Sequence, residues 1–249
     1  MTNTCKYYLE IADNAWILSH RLAENSSKGP FLEEDLACTN VSLDLIGWAE
    51  SMYTEAAKLS QDKVTADDLA YRREQNEYFN TLLTEQPNSD FAVIMVRQFF
   101  MDTYNYYLCT ELMTSTDDFL KAVATKSIKE VTYHLRRSSE WMIRFGKGTE
   151  TSRLKAQNAI NQLWRFTDDL FTQTAASIEL RSNGISADLT KVKSSWDQKI
   201  NEIFYLSDLS KPENTFQLTG GKNGKHSEHL GHLLADMQYL TNKYPEATW

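Results

Sequence analysis

One helix-forming segment, residues 128–141 (IKEVTYHLRRSSEW), carries a carboxylate and an imidazole one helical turn apart. Glu130 and His134 lie four positions apart, and this spacing places both side chains on one face of a helix. Such a pair can ligate a metal ion. The alternative interpretation is a hydrogen-bonded pair that orients the helix, and the residues favour it because no matching second pair accompanies this one.

The spacing of all five histidines argues against an ordinary di-iron site. Helical bundles that hold two irons take a Glu from each of two helices and a Glu-x-x-His pair from each of the other two. No Glu-x-x-His or Asp-x-x-His sequence occurs in this chain. The residues three positions before the histidines are, in chain order, Ile17, Val131, Asn223, His226 and His229. The usual ligand pattern is therefore absent.

A second group of histidines lies near the C-terminus, at His226, His229 and His232. Successive steps of three drift by ~60° around a helix, so the three rings do not point at one centre. A packing or capping role is favoured over metal binding. The chain also has no glycine-rich phosphate loop, no G-x-S-x-G elbow and no Cys/His nucleophile arrangement. The residues alone favour a scaffold or interaction protein over an enzyme.

Composition narrows the classes of partner and compartment. The chain has 249 residues and a formal charge of −8, which argues against non-specific binding to nucleic acid. Cys5, Cys38 and Cys109 are widely spaced, so they predict neither a disulfide framework nor a zinc site, and free thiols suit a reducing cytosol. The N-terminus lacks a signal-peptide pattern, and no uncharged apolar run approaches the ~20 residues of a membrane span. We expect a cytoplasmic protein without membrane contact.

The hydrophobic pattern predicts helices throughout and no strands. The predicted helices cover, approximately, residues 6–24, 32–59, a shorter one through 78–83, 91–114, 118–145, 152–174, 187–206 and 227–243. The helix at 91–114 is apolar nearly all round, which indicates burial in a core rather than a ligand pocket. We predict an all-α protein of one domain spanning 1–249, with a core bundle at about 6–175 and C-terminal helices at about 187–243.

Four segments resemble motifs of a known family. They are GPFLEEDLACTNVSLDLIG at 29–47, EQPNSDFAVIMVRQFFMD at 85–102, KEVTYHLRRSSEW within 126–152, and HSEHLGHLLADMQYL at 226–240. Together they are similar to the PaaC family, a subunit family of the multicomponent phenylacetyl-CoA 1,2-epoxidase of aerobic phenylacetate breakdown. The resemblance covers nearly the whole chain.

The resemblance implies a ferritin-like long-helix bundle with additional C-terminal helices, related to subunits of bacterial multicomponent monooxygenases. It implies a non-catalytic structural subunit without a cofactor of its own. The expected partner is the catalytic subunit PaaA, which holds the di-iron centre, binds phenylacetyl-CoA and performs the epoxidation. A small subunit, PaaB, and a reductase, PaaE, with flavin and an iron–sulfur cluster would complete the system, and homodimer contacts are a further expectation.

The resemblance also implies that the metal ligands have been lost from the centre of the bundle. The candidates for the remaining polar centre are Asp44, Asp102, Glu130 and His134. Gly47 stands at the third position after Asp44, and Val131 at the third position before His134, where ligand pairs would lie. We further expect an obligate-type interface of more than ~2,000 Å² with the catalytic subunit.

Two other functions remain open at this point. One is a self-sufficient metal-dependent oxidase that uses Glu130 and His134. The other is a CoA-ester binding module, for which Arg136, Arg137 and Lys147 supply positive charge.

Overall fold

The computed structural model describes residues 1–60, 63–213, 215–245 and 247, and every regular element within them is helical. The α-helices are α1 (Asn3–Ala23), α2 (Leu32–Leu59), α3 (Ala66–Tyr71), α4 (Phe91–Leu112), α5 (Asp118–Lys147), α6 (Glu150–Leu163), α7 (Ala175–Ser182), α8 (Leu189–Ser207) and α9 (Glu228–Lys243). The predicted all-α, ferritin-like bundle with extra C-terminal helices is confirmed. No helix in these described ranges is both long and apolar enough to cross a membrane.

Two pairs of long helices form the bundle. α1 packs along α2, α4 packs along α5, and α2 also contacts α5. Polar caps fix where two of these helices begin: the Asp90 side chain accepts a hydrogen bond from Val93 N (3.1 Å), and the Asp117 side chain accepts one from Leu120 N (2.9 Å). Each such cap contributes about 1 kcal/mol to helix stability. The capping residues therefore help to set the register in which α4 and α5 present their side chains to the centre of the bundle.

The core is centred on α4, as its apolar sequence predicts. Phe99 and Phe100 of α4 are fully buried, and Phe100 packs against the rings of Trp164 and Trp196. The indole nitrogen of Trp196 donates a hydrogen bond to the carbonyl of Phe100 (2.9 Å), so this large ring is buried without an unpaired donor. α8, which carries Trp196, is held against α4 in this way.

The C-terminal helices cover the sides of the bundle. α6 and α8 pack on α4 and α5, α7 packs on α1, and α9 contacts the short α3. The crossing of α5 and α8 is especially close: a Cβ added at Gly146 would lie 1.7 Å from the carbonyl oxygen of Ser207. Glycine is therefore required at this position for α8 to approach α5.

Two predicted helices differ from the structure, one in its existence and one in where it ends. The first lies at residues 78–83, which are not helical; a 3-10 turn (Gln75–Glu77) precedes a non-helical segment that ends in a turn. The backbone there is held by side chains from other elements, because Thr81 N donates to Asn14 Oδ1 (2.8 Å) and Leu82 N donates to Asp169 Oδ2 (2.8 Å). These distant partners replace the local bonds of a helix.

The second is the helix predicted over 152–174, which ends early, at Leu163, and is followed by 3-10 turns. The separate helix α7 begins after it and was not predicted. Thr174 starts α7 with a capping box, in which its side chain accepts from Ser177 N (3.1 Å) and Ser177 Oγ accepts from Thr174 N (2.9 Å). No glycine or proline marks this boundary in the sequence.

Candidate functional site

A hydrogen bond between α2 and α5 lies at the centre of the predicted site. His134 Nε2 is 2.9 Å from Asp44 Oδ2, and the His134 residue is only 3 % exposed. Because a carboxylate oxygen can only accept, Nε2 carries the proton and donates it. The expected partner of His134 was Glu130 on the same helix, and the structure gives Asp44 on the neighbouring helix instead.

Asp102 of α4 is the most deeply buried member of the predicted set, at 1 % exposure. Its Oδ1 accepts a hydrogen bond from Gln98 Nε2 (2.5 Å), one turn earlier on the helix. Burial raises the pKa of Asp102, against an opposing effect from the nearby His134. Within the described part of the chain, Asp102 Oδ2, His134 Nδ1 and Gln98 Oε1 are buried here without a hydrogen-bond partner.

Glu130 lies at the outer edge of this group and is only partly buried. Burial and the negative charge of Asp44 both raise the pKa of Glu130. The structure thus brings Asp44 and His134 into direct contact, with Asp102 and Glu130 close enough to be influenced by their charges. We call these four residues the polar centre.

Arg137 brings a permanent positive charge to the same side of α5. Its guanidinium donates to Glu34 Oε2 (2.6 Å) and to Cys38 Sγ (3.3 Å), both on α2. Burial raises the pKa of the Cys38 thiol despite the adjacent arginine, so this cysteine stays protonated. α2 and α5 are therefore joined twice, by an ion pair near the start of α2 and by the Asp44–His134 bond about three turns later.

The polar centre does not fit a pair of iron ions. Among the residues that the structure describes, no three His, Cys, Asp or Glu side chains are grouped so that they could hold a metal ion. His134 Nε2 and Asp44 Oδ2, the atoms that would coordinate a metal ion, are hydrogen-bonded to each other. Val131, where a ligand carboxylate would stand, is a buried apolar residue. A further charge on this face of α5, that of Arg137, also opposes a bound cation.

The three basic residues considered for CoA binding do not form one surface. Arg137 is turned inward to Glu34, whereas Arg136 is exposed and lies over the ring of Tyr133, 5.8 Å from its centroid. Lys147 forms an ion pair with Asp208. Two of the three cations are thus committed to carboxylates, so the geometry does not support a phosphate cluster.

His226, the first of the C-terminal histidines, is held by two hydrogen bonds. Its Nδ1 is 3.0 Å from Glu85 Oε2 and its Nε2 is 2.9 Å from the Tyr78 carbonyl, so both ring nitrogens are engaged. Burial alone would lower the pKa of His226, but the bond to Glu85 and the charge of that carboxylate outweigh it, and the pKa is raised. His229 and His232 lie on α9, and His232 is exposed.

The motif at 85–102 has a structural role that the sequence did not reveal. Arg97 is fully buried and donates to the Gln86 carbonyl and to Asn88 Oδ1 (2.6 Å), and burial lowers its pKa to about 9. Arg21 of α1 donates to the Glu85 carbonyl at 2.7 and 3.1 Å. An arginine within a long apolar helix was the available signal, since such a residue needs several acceptors.

Two further buried carboxylates, Glu10 and Asp13 of α1, were also missed. Asp13 accepts from Tyr53 OH (2.6 Å) and from Phe79 N (2.7 Å), and it forms an ion pair with Arg73. Glu10 accepts from Thr174 Oγ1 (2.7 Å), and burial raises its pKa. Their i, i+3 spacing is a signal for a shared helix face, but each carboxylate is used to hold a loop.

The structure defines a protein of the ferritin-like helical-bundle class. Its polar centre is filled by its own side chains, and its described residues lack the ligand set of a di-iron enzyme. A family model described as "Phenylacetic acid catabolic protein" matches residues 1–249. The chain is 41% identical over 249 residues to the C subunit of the 1,2-phenylacetyl-CoA epoxidase of Escherichia coli (strain K12), with 100% of both sequences covered. The chain belongs to the phenylacetic acid catabolic protein family, which confirms the resemblance found in the sequence.

Proposed function

We propose that the chain is a non-catalytic structural subunit of a phenylacetyl-CoA epoxidase that acts in phenylacetate catabolism. Its task is to bind and stabilise the catalytic subunit, PaaA, which carries the di-iron centre. PaaB and the reductase PaaE, with its flavin and iron–sulfur cluster, supply the remaining components. A cytoplasmic location and the absence of nucleic-acid binding stay predictions from composition.

The observation that carries this proposal is the bond between His134 and Asp44. In a catalytic bundle these positions would direct their nitrogen and oxygen atoms toward metal. Here His134 Nε2 and Asp44 Oδ2 are hydrogen-bonded to each other, and Asp102 Oδ1 accepts a hydrogen bond from Gln98. These hydrogen bonds offset part of the cost of burying the polar groups without an ion. The full-length similarity to a subunit of this epoxidase supports the same conclusion.

The alternative of a self-sufficient oxidase is not favoured by any contact of Glu130, which lies at the edge of the polar centre. A CoA-binding module is not favoured either, because Arg137 is committed to Glu34. The structural-subunit proposal needs neither group to react. It requires only that the bundle be stable and that part of its surface be recognised by the catalytic subunit.

Metal counting on separated and combined chains tests the proposal. We expect the isolated chain to contain no stoichiometric iron, to co-elute with PaaA in size-exclusion chromatography, and to increase epoxidation by PaaA supplied with PaaB and PaaE. Two irons per isolated chain, with oxidation of phenylacetyl-CoA by that chain alone, would refute the proposal. Separate elution of the two chains and unchanged activity would refute it equally.

A further inference from the structure

The outer face of α2 exposes a row of large apolar side chains. Leu32, Leu36 and Leu43 are 70 %, 53 % and 59 % exposed. Their spacings of four and seven residues place them on one side of the helix, opposite the side that packs on α1. Single exposed leucines are ordinary on a protein surface, but an aligned row on one helix is typical of a binding surface.

Gly47 continues this row, four residues after Leu43, and no contact within the described chain explains why it is a glycine. A Cβ added at Gly47 would meet no atom within 4 Å, and its backbone is ordinary helix. Glycine in the middle of a helix reduces helix stability, so its presence normally has a packing reason. Gly146 shows such a reason inside this chain, where α8 approaches. At Gly47 no described part of the chain comes this close, and a second molecule lying against α2 would supply the same reason.

The charge of α2 restricts what that molecule can be. α2 contains six acidic residues and one basic residue, Lys58, which lies in its last turn and pairs with Glu55. Glu34 is paired with Arg137. Glu33 and Glu50 lie within about 70° of the centre of the row when the helix is viewed along its axis. Two copies of this chain joined through the row would oppose acid to acid, which is unfavourable. The matching partner has an apolar helix face bordered by basic side chains.

We propose that Leu32, Leu36, Leu43 and Gly47, here named the α2 stripe, form the docking surface for a helix of the catalytic subunit. This inference rests on the proposed function, since it names the surface through which that function is carried out. The partner helix lies against Gly47 at close range, buries the three leucines, and places lysine or arginine beside Glu33 and Glu50. Docking on α2 also puts the partner next to Asp44, whose side chain is 38% exposed.

Charge substitutions in the α2 stripe provide the test. Leu36→Glu and Leu43→Glu are compared with Leu154→Glu on α6, where the leucine is similarly exposed, at 52 %. Binding to purified PaaA is measured by calorimetry with full-length proteins. We expect the two stripe variants to bind at least about tenfold more weakly, and the control to bind as the wild type does, because a charge buried in an apolar interface stays unpaired. Circular dichroism must show unchanged helicity and melting temperature in all three.

Gly47→Leu provides a second test, because it should affect the stability of the isolated chain and its affinity for PaaA in opposite directions. The isolated variant has room for the side chain and a better helix former, so its melting temperature should equal or exceed that of the wild type. Its affinity for PaaA should fall, because the partner backbone can no longer approach. A melting temperature that falls together with the affinity would contradict the proposed close approach.

The outcomes separate the two proposals. If the wild-type chain does not bind PaaA, the proposed function itself fails. If the wild type binds and the stripe variants bind equally well, the proposed function stands and the α2 stripe is excluded as the docking surface. If the isolated wild type is a dimer that Leu43→Glu converts to a monomer, the stripe joins two copies of the chain, and the inference is overturned.

Discussion

The imidazole of His134 and the carboxylate of Asp44 form the bond that links the middle of α5 to the middle of α2, at 2.9 Å. The two residues are 90 positions apart in the chain. Since α2 packs with α1 and α5 packs with α4, this bond joins the two helix pairs of the ferritin-like bundle. It can therefore be tested as a structural contact.

Replacement of Asp44 by alanine should destabilise the protein modestly. The change leaves the buried Nε2–H of His134 without its acceptor, which costs about 1 kcal/mol when water can partly replace the lost carboxylate. The measurement is the free energy of unfolding in urea. Glu50→Ala on the same helix is the control and should change stability by less than about 0.5 kcal/mol. Equal effects of the two substitutions would show that the bond contributes nothing.

Asp102→Asn should stabilise the isolated protein at pH 8. Burial raises the pKa of Asp102. Above that pKa the folded protein carries a buried negative charge, which costs free energy, whereas the same carboxylate is solvated in the unfolded chain. The penalty is fully present above the raised pKa and disappears as the pH falls below the unfolded value of about 3.9. We expect the variant to gain about 1 kcal/mol at pH 8, and the gain to shrink toward pH 4. A loss at pH 8 would mean that the charged form is needed in the folded protein.

Arg97→Lys should be strongly destabilising. Lysine cannot reproduce the two bonds from one planar group to Gln86 O and Asn88 Oδ1, and it would be fully buried. The expected loss is about 2 to 3 kcal/mol in the free energy of unfolding. Arg136→Lys, on the exposed face of α5, should leave stability unchanged. If the two conservative substitutions had the same effect, the structural role of Arg97 would be wrong.

His226→Ala should lower stability in a way that depends on pH. Because the folded-state pKa of His226 is raised by Glu85, the stability that comes from proton binding is fully present below the unfolded pKa of about 6.5 and is lost as the pH rises through the folded value. The difference in unfolding free energy between wild type and variant should thus be larger at pH 5.5 than at pH 9. His232→Ala, an exposed control on α9, should show no such difference. A larger effect at pH 9 would reverse the assigned direction.

The sequence predicted what depends on local pattern and missed what depends on distant partners. The apolar run of α4 predicted a buried helix, and it is one. By contrast, the spacing of Glu130 and His134 suggested a pair within one helix, whereas His134 bonds to Asp44 of α2. No periodicity rule relates residues 90 positions apart. The four family motifs identified the polar centre only as a set of candidates, without its contacts.

The loop before α4 illustrates the same limit. Its apolar residues suggested a helix at 78–83, but Thr81 and Leu82 obtain their backbone partners from Asn14 and Asp169. Asn14 precedes this loop in the chain and Asp169 follows it, so neither partner is local. The composition of this segment is compatible with a helix, but its backbone hydrogen bonds are those of a buried loop. These bonds exist only when the bundle is assembled, so the sequence alone does not reveal them.

The partners of Glu85 impose an order on how the chain can be completed. Both oxygens of this fully buried carboxylate are bonded to residues near the C-terminus: Oε2 to His226 Nδ1 and Oε1 to Ser227 N (2.7 Å). During synthesis on a ribosome, the loop before α4 therefore emerges about 140 residues before its partners exist. A chain that ends before residue 226 lacks both of these hydrogen-bond donors to Glu85 and keeps only the local donor Asn80 Nδ2, at 3.2 Å from Oε2. The loop before α4 therefore obtains its complete set of hydrogen bonds only after residues 226 and 227 have been added.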